Sequence, residues 1–234
     1  MFIINSMFST FNTKYKVKPD CQITDLNNIY KSKFGFKKDG IFVEVGAYDG
    51  DRWSNTCFLA DLGWKGLYIE PVNEFYLKCV ERHKKNSKIE VLNLAIGEEE
   101  KDVEIFIAQG LSTILESQKN FYEKSQFSKH VKFTDTQICK QRRLENVLIK
   151  KKINPGFDLL VVDTEGYEKE VINSFDLEFW RPKLLIVELP HKNENFQDFK
   201  EFIKSTINLR EKIIDSNYKV IYEDDINTVF NFSS

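Results

Sequence analysis

The stretch Gly40-Ile-Phe-Val-Glu-Val-Gly-Ala-Tyr-Asp-Gly50 decides the fold. Its first half, residues 41 to 45, is a short apolar run with β-branched residues, which predicts a buried strand. Gly46 and Gly50 lie in the turn that follows, where glycine permits positive φ and lets a ligand approach the backbone closely. The stretch therefore predicts a buried strand that runs into a ligand-binding loop.

The acids of this loop limit which ligand it can hold. The dinucleotide fingerprint G-x-G-x-x-G would need glycines at positions 44, 46 and 49, where the chain has Glu44, Gly46 and Asp49. Two carboxylates in a partly desolvated loop would repel a pyrophosphate, which also opposes a nicotinamide dehydrogenase. S-adenosylmethionine carries an ammonium and a sulfonium instead, and Glu-x-Gly-x-x-x-Gly is a form that its binding loop commonly takes.

A second apolar run, Gly66-Leu-Tyr-Ile-Glu70-Pro71, ends in an acid about one helix and one strand after Glu44. In folds that bind a nucleoside, an acid at the end of the second strand accepts hydrogen bonds from both ribose hydroxyls. Glu70 is therefore expected to bind the ribose.

Four sequence blocks, taken in this order, resemble the FkbM family of methyltransferases. They are Glu44-Val-Gly-Ala-Tyr-Asp-Gly50, Ser54-Asn-Thr56, Gly63-Trp-Lys-Gly-Leu-Tyr-Ile-Glu-Pro71 and Asp158-Leu-Leu-Val-Val-Asp-Thr-Glu-Gly-Tyr-Glu168. The resemblance runs from about residue 40 to 190. It implies an α/β, Rossmann-like, class I methyltransferase fold and S-adenosylmethionine-dependent methylation of a hydroxyl, often on a sugar, glycan or secondary metabolite.

The end of the chain predicts how this sheet closes. Tyr218 to Tyr222 and Asn227 to Phe232 read as two strands of a hairpin after five strand-helix units. Such a pair is typical of the seven-stranded methyltransferase sheet, in the order 3-2-1-4-5-7-6 with strand 7 antiparallel.

Length and composition predict one domain in a chain of 234 residues. We expect an N-terminal arm and helix over residues 1–40, and a methyltransferase domain over 41–234 with a cap insertion at about 108–143. The net charge of −2 favours neither nucleic acid nor an anionic membrane as a partner. With no long uncharged apolar stretch, the sequence predicts a cytoplasmic protein without a membrane span and leaves the oligomeric state open.

Further residues are candidates for cofactor binding. Ser54 or Asn55 is expected to cap a helix that runs to Leu62, and the N-terminus of such a helix suits the cofactor's carboxylate; a purely structural cap is the alternative for Asn55. Ala95 and Ile96 fall where this fold packs the adenine, with ordinary core packing as the alternative. The family resemblance puts Ser112 near the site. The predicted cofactor-binding residues are Glu44, Gly46, Asp49, Gly50, Asn55, Glu70, Ala95, Ile96, Ser112 and Asp163.

Acids and one histidine at the ends of two later strands are the candidates for catalysis. Open α/β sheets bind ligands at the carboxyl ends of their parallel strands. There lie Asp163, Glu165, Glu188 and His191, any of which is a candidate general base. Glu168 has the alternative role of a helix acid that complements the dipole. The carboxylates would also suit Mg²⁺ or Ca²⁺, but no metal is predicted because the sequence does not show that they converge.

The segment from Leu111 to Arg143 is polar, aromatic and basic and has little periodicity. A long irregular segment inside a compact domain is typical of a functional loop. We expect it to cap the site and to contact an oxygen-rich small-molecule or carbohydrate acceptor. The alternative function is a non-catalytic cofactor-binding protein of the same fold that regulates a glycan-building assembly.

Overall fold

The computed structural model describes residues 21–35 and 37–233, so most of the predicted N-terminal arm, residues 1–20, lies outside the described residues. The helices are α1 Leu26–Phe34, α2 Cys57–Asp61, α3 Asn73–His83, α4 Glu116–Lys124, α5 Leu144–Lys150, α6 Glu168–Asn173, α7 Leu177–Trp180 and α8 Lys200–Asp215. The strands are β1 Ile41–Val45, β2 Lys65–Ile69, β3 Ile89–Leu92, β4 Ala95–Ile96, β5 Asp102–Ile107, β6 Asp135–Arg142, β7 Leu159–Val162, β8 Leu184–Glu188, β9 Tyr218–Glu223 and β10 Asn227–Phe232. In this part of the chain no helix combines the length and the apolar character that a membrane crossing requires.

Seven strands form one mostly parallel sheet in the order β3-β2-β1-β7-β8-β10-β9. The predicted order, 3-2-1-4-5-7-6, differs in its numbering because β4, β5 and β6 belong to a separate sheet. When only the strands of the large sheet are counted along the chain, their order is 3-2-1-4-5-7-6. The last strand, β10, runs antiparallel to both neighbours, β8 and β9.

The central strands are mostly apolar because both faces of the sheet are covered; Glu44 of β1 and Glu188 of β8 are the acids within them. Alternate residues of β1 enter different cores: Val43 and Val45 pack on one face, and Phe42 packs on the other. Helix α1 covers the second face with Leu26, Ile29 and Tyr30. This continuous burial holds the strands, and therefore their ends, in a fixed register.

The register brings the carboxyl ends of four parallel strands to one level. Val45 of β1 pairs with Ile69 of β2 and with Val162 of β7, and Val162 pairs in turn with Val187 of β8. The next residues along these strands are Gly46, Glu70, Asp163 and Glu188. Four predicted site residues thus lie along the same edge of the sheet.

A second sheet, in the order β4-β6-β5, is formed by the part of the chain between β3 and β7. The predicted irregular segment from Leu111 to Arg143 therefore contains helix α4 and strand β6, which pairs with β5 along its length. Strand β6 was not predicted because it does not bury its apolar residues and expose its polar ones: Ile138 is 64% exposed, whereas Gln141 is buried.

Candidate functional site

Two adjoining cavities open at this edge of the sheet. The first is a narrow cavity of about 60 Å³, and the second is a wider cleft of about 680 Å³, within the range of small-molecule sites. Both are lined by Gly46, Tyr48, Asp163 and Glu165. A molecule in either cavity would therefore contact the same short stretch of wall.

The first cavity is lined mainly by apolar residues, together with its acids and a few polar residues such as Gln109, Ser112 and Thr164. Among the predicted residues, its lining includes Glu70, Ala95, Ile96 and Ser112. The hydroxyl of Ser112 is already engaged in its own turn, where it accepts from the Ala108 amide and donates to the Gln109 carbonyl. The other apolar lining residues include Val72, Phe75, Leu94, Ile105 and Ile114.

Glu70 fixes the backbone at the rim of this cavity. Its carboxylate oxygens each accept one backbone N–H, from Tyr48 at 2.8 Å and from Val72 at 2.8 Å. The side chain is nearly buried, and this burial raises the pKa of Glu70 to about 8 against the opposing effect of the two N–H groups. In the ionised form of Glu70, each oxygen has a further lone pair for another donor.

This raised pKa predicts a pH-dependent stability. Between the ordinary carboxyl pKa and about 8, the folded protein keeps a proton on Glu70 that the unfolded chain has lost. The resulting stabilisation is complete at low pH and is lost as the pH rises through about 8. We expect Glu70→Gln to remove roughly 2 kcal/mol of the fall in unfolding free energy between pH 6 and 9, measured by urea denaturation.

The exposed Glu74 of α3 provides the control for this measurement, since its carboxylate pairs with Lys78 at the surface. Glu74→Gln should leave the pH dependence of the wild-type protein intact. An equal pH dependence in wild type and Glu70→Gln would show that Glu70 does not carry a proton in the folded protein.

Glu44 lies beneath the loop, only 3% exposed, at the edge of the second cavity. It accepts hydrogen bonds from the hydroxyls of Ser54, at 3.0 and 3.3 Å, and Thr56. Burial raises the pKa of Glu44 to about 7, and the charge of Asp163 adds to this rise, while the two hydroxyls oppose it. Glu44 therefore ties the loop to the segment that precedes α2.

The two loop glycines are required by the protein's own packing. At Gly46, where φ is +87°, an added Cβ would lie 1.6 Å from the carbonyl oxygen of Asp163. At Gly50, where φ is +69°, it would lie 2.5 Å from the Cys79 sulfur. Gly46 lines both cavities, but Gly50 packs against α3 and lines neither, in contrast to its predicted contact with the cofactor.

Asp49 and Asn55 also lie away from the two cavities. The Asp49 carboxylate turns outward and accepts the backbone N–H groups of Asp51 and Arg52. The Asn55 side chain is buried and accepts from the Cys21 thiol. Helix α2 begins later than predicted, at Cys57, and has five residues. The geometry favours the structural alternative for Asn55 and opposes the predicted role of Asp49.

Asp163 and Glu165, at the wall that the cavities share, form a carboxylate cluster with Glu188, which lines neither cavity. One oxygen from each of Asp163, Glu165 and Glu188 lies within 4.8 Å of the others. Burial raises the pKa of all three groups, and mutual repulsion raises those of Glu165 and Glu188 further. A hydrogen bond between Glu188 and Asp163 raises the pKa of Glu188 further and opposes the rise in the pKa of Asp163.

Glu165 is held in a strained position. Its φ is +55°, a backbone conformation that costs free energy in residues other than glycine. The Tyr122 hydroxyl of α4 donates to its carboxylate at 2.9 Å, and the Thr113 hydroxyl donates to its backbone carbonyl at 2.9 Å. These contacts from the segment between β5 and β6 position the acid at the shared wall.

Glu168 and His191 have other tasks. Glu168 is buried, and it accepts the backbone N–H of Thr164 at 2.7 Å and that of Gly166 at 3.2 Å, so it shapes the loop around Glu165. His191 bonds through Nδ1 to the Leu189 carbonyl and through Nε2 to Glu223, at 3.3 Å. His191 lines neither cavity, so the described geometry does not place it where the predicted base would act.

Sequence reasoning missed several residues of the wall. Tyr48, Trp53 and Gln109 line the cavities with positive φ, as Glu165 does. A positive φ at a residue other than glycine cannot be predicted from the residue type. Tyr122 was hidden in the segment that lacked periodicity, although a buried tyrosine on a short helix commonly donates to a nearby acid.

The second cavity has a different lining from the first. Trp53 is stacked on Tyr48 on one side, and the Arg52 guanidinium lies 5.4 Å from the centre of the Trp53 ring. His130 and Lys132, from the predicted cap, line the cleft as well. Aromatic faces and exposed cationic groups are suited to an oxygen-rich ligand.

Comparisons with known proteins bear on this geometry. An O-methyltransferase from Bacillus cereus in complex with S-adenosylhomocysteine has a similar fold, with a TM-score of 0.52 and 12% identity over 97% of this chain and 90% of that chain. The S-adenosylhomocysteine-bound methyltransferase PaMTH1 from Podospora anserina gives 0.51, with 11% identity over 98% and 88%. At such identities the likeness concerns the fold alone.

The sequence comparisons are more specific. A search of curated proteins finds no match. The family model of the methyltransferase FkbM domain, however, matches residues 44–219, which is most of the chain and includes both cavities' acids. The chain therefore belongs to the FkbM methyltransferase family.

Proposed function

We propose that this protein transfers the methyl group of S-adenosylmethionine to a hydroxyl oxygen of a polar acceptor, such as a sugar, a glycan or a secondary metabolite. The observation that carries the proposal is the wall shared by the two cavities, at Gly46, Tyr48, Asp163 and Glu165. A methyl donor in one cavity and an acceptor in the other would meet at this wall. The family membership and the S-adenosylhomocysteine in the two similar structures support the choice of donor.

The first cavity supports binding of the nucleoside. Glu70 lies at the end of β2 with a free lone pair on each oxygen, as an acceptor for two ribose hydroxyls requires. Ala95 and Ile96 supply an apolar surface for the adenine ring. Asp163, which lines both cavities, is the proposed partner of the cofactor's ammonium group.

The second cavity supports binding of the acceptor, with residues 108–143 as its proposed cap. Alignment of the acceptor oxygen with the methyl carbon and the sulfur supplies part of the rate. The hydroxyl must also lose a proton. Asp163 and Glu165 face both cavities, and Glu188 completes their cluster. We assign the role of proton acceptor to this cluster, with Glu165 as its first candidate because Asp163 also serves the cofactor.

Incubation with S-adenosylmethionine labelled in the methyl group, together with a panel of sugars, glycans and phenolic metabolites, tests the proposal. We expect label to appear in an acceptor as a methyl ether. Cofactor binding without transfer to any acceptor would favour the alternative of a non-catalytic regulator. Absence of S-adenosylmethionine binding would contradict both.

Glu70→Ala is expected to weaken the binding of S-adenosylhomocysteine by roughly 1–3 kcal/mol, because two ribose hydroxyls lose their acceptor. Isothermal titration calorimetry measures the change. Glu74→Ala, an exposed acid on the neighbouring helix, is the matched control and should bind as the wild type does. Unchanged affinity in a folded Glu70→Ala variant would remove Glu70 from the cofactor site.

A further inference from the structure

The cluster of Asp163, Glu165 and Glu188 has no counter-charge among the residues that the structure describes. The ion pairs within residues 21–35 and 37–233 involve other acids. The three groups are partly buried, and each offers an oxygen within 4.8 Å of the other two. Carboxylate oxygens at this spacing are the ligands that Mg²⁺ and Ca²⁺ prefer.

An unpartnered amide oxygen lies beside the cluster on the large sheet. Asn227 is 1% exposed, and its Oδ1 makes no hydrogen bond. Asn227 of β10 lies directly opposite Glu188 of β8 in the antiparallel register. Residues opposite one another in such a pair project from the same face, with Cβ atoms about 4.5–5.5 Å apart. A buried carbonyl oxygen without a donor requires some partner at this position.

A second unpartnered amide oxygen approaches from the other side. Gln118 of α4 is 1% exposed, and its Oε1 also makes no hydrogen bond. An ideal Cβ at Gly166 would lie 3.1 Å from this oxygen, so it sits against the residue that follows Glu165. Tyr122, one turn further along α4, donates to Glu165. The two residues with unpartnered amide oxygens thus lie next to residues of the cluster, Asn227 opposite Glu188 and Gln118 against Gly166.

We infer that Asp163, Glu165 and Glu188 bind one divalent cation of the Mg²⁺ or Ca²⁺ class between the two cavities, supported by the amide oxygens of Asn227 and Gln118. Both types of oxygen suit a hard cation, and a cation satisfies groups that no donor in the described chain reaches. Each carboxylate that binds through one oxygen keeps its second oxygen for the acceptor's proton.

The location also gives the cation a use. It would lie where the acceptor's hydroxyl must be held, so neighbouring oxygens of a diol or sugar could complete its coordination. This use rests on the proposed methyl transfer, whereas cation binding itself does not. The two can therefore be tested apart.

Titration of chelator-treated full-length protein with MgCl₂ and with CaCl₂, in calorimetry and thermal unfolding, is the direct experiment. We expect one binding site and an increase in melting temperature. Glu188→Gln is expected to weaken the binding by about 10-fold or more, since outer-shell changes alone cost this much. Glu81→Gln, at an exposed acid of α3 that pairs with Lys84, should bind as the wild type does.

Asn227→Asp is expected to have the opposite effect on cation affinity from Glu188→Gln. A fourth carboxylate beside Glu188 should lower the melting temperature in the presence of EDTA and increase the affinity for Ca²⁺. A merely structural asparagine would give the first effect without the second. This variant remains informative even where Glu188→Gln fails to fold.

The outcomes separate the inference from the proposed function. No heat and no thermal shift at cation concentrations up to about 10 mM, with S-adenosylhomocysteine bound normally in EDTA, would overturn the cation site alone. Equal binding by wild type and Glu188→Gln would also overturn it. Cation binding in a protein that binds no S-adenosylhomocysteine would support the site and contradict the methyl donor.

Discussion

Glu165→Gln is expected to lower the rate of methyl transfer by roughly 10²- to 10⁴-fold, the range for loss of a general base. The amide keeps the size of the side chain and can still accept from Tyr122, which donates at 2.9 Å in the wild type. It cannot accept the acceptor's proton. Single-turnover transfer from labelled S-adenosylmethionine, with Mg²⁺ present, measures the rate apart from cofactor binding.

Two further measurements make this result specific. The affinity for S-adenosylhomocysteine should change little in Glu165→Gln, whereas Asp163→Asn should lose both affinity and rate, because Asp163 is assigned to the cofactor as well. Lys169→Gln, three residues beyond Gly166 and exposed, should transfer at the wild-type rate. A normal rate in Glu165→Gln with a loss in Glu188→Gln would move the base to Glu188.

Gly46→Ala is expected to lower the free energy of unfolding by roughly 3–5 kcal/mol. Its Cβ would lie 1.6 Å from the Asp163 carbonyl oxygen, so the end of β1 must move away from the end of β7. The positive φ of +87° adds a backbone cost that any residue with a Cβ would meet. Urea denaturation followed by circular dichroism measures the loss.

Gly156→Ala separates the two costs. Gly156 has a similar φ of +76°, but a Cβ there would meet nothing within 4 Å. This variant should lose only about 1 kcal/mol, the backbone cost alone. Equal losses at the two positions would mean that the approach of the Asp163 carbonyl to Gly46 does not constrain the fold.

The strands that carry the site, and the acids at their ends, could be predicted because they follow from local sequence patterns. The apolar runs that became β1, β2, β7 and β8 are short and bounded by turns, and parallel strands end at one edge of their sheet. Any acid directly after such a run must therefore lie at that edge. Glu70, Asp163 and Glu188 do so.

Which way a loop side chain turns could not be predicted in the same manner. Glu44 and Asp49 are both acids of the same glycine-containing stretch. Glu44 is a strand residue that accepts from Ser54 beneath the loop, whereas Asp49 accepts the backbone N–H of Asp51 in a local turn. Asn55, for which a structural cap is the alternative to cofactor binding, contacts Cys21, and Gly50 packs against Cys79. These outcomes depend on contacts between residues that are distant along the chain, which a pattern of neighbouring residues does not contain.

The segment between β5 and β6 was the largest gap. Its helix α4 contributes Gln118 and Tyr122, whose buried polar groups depend on partners near Glu165. Strand β6 exposes Ile138 and buries Gln141, so an alternation based on hydrophobicity identifies the wrong face. Polar residues that are buried because they contact a functional site do not produce the hydrophobic periodicity from which a helix or strand is predicted.

The hydrogen bonds from Thr113 and Tyr122 to Glu165 have a consequence for protein engineering. Transplanting the β5–β6 segment from another family member, in order to alter which compound is methylated, would also replace the groups that steady this acid. The choice of substrate and the catalytic activity would then change together when the segment is exchanged. Chimeras that retain these two hydroxyls should stay active more often than chimeras that exchange the whole segment.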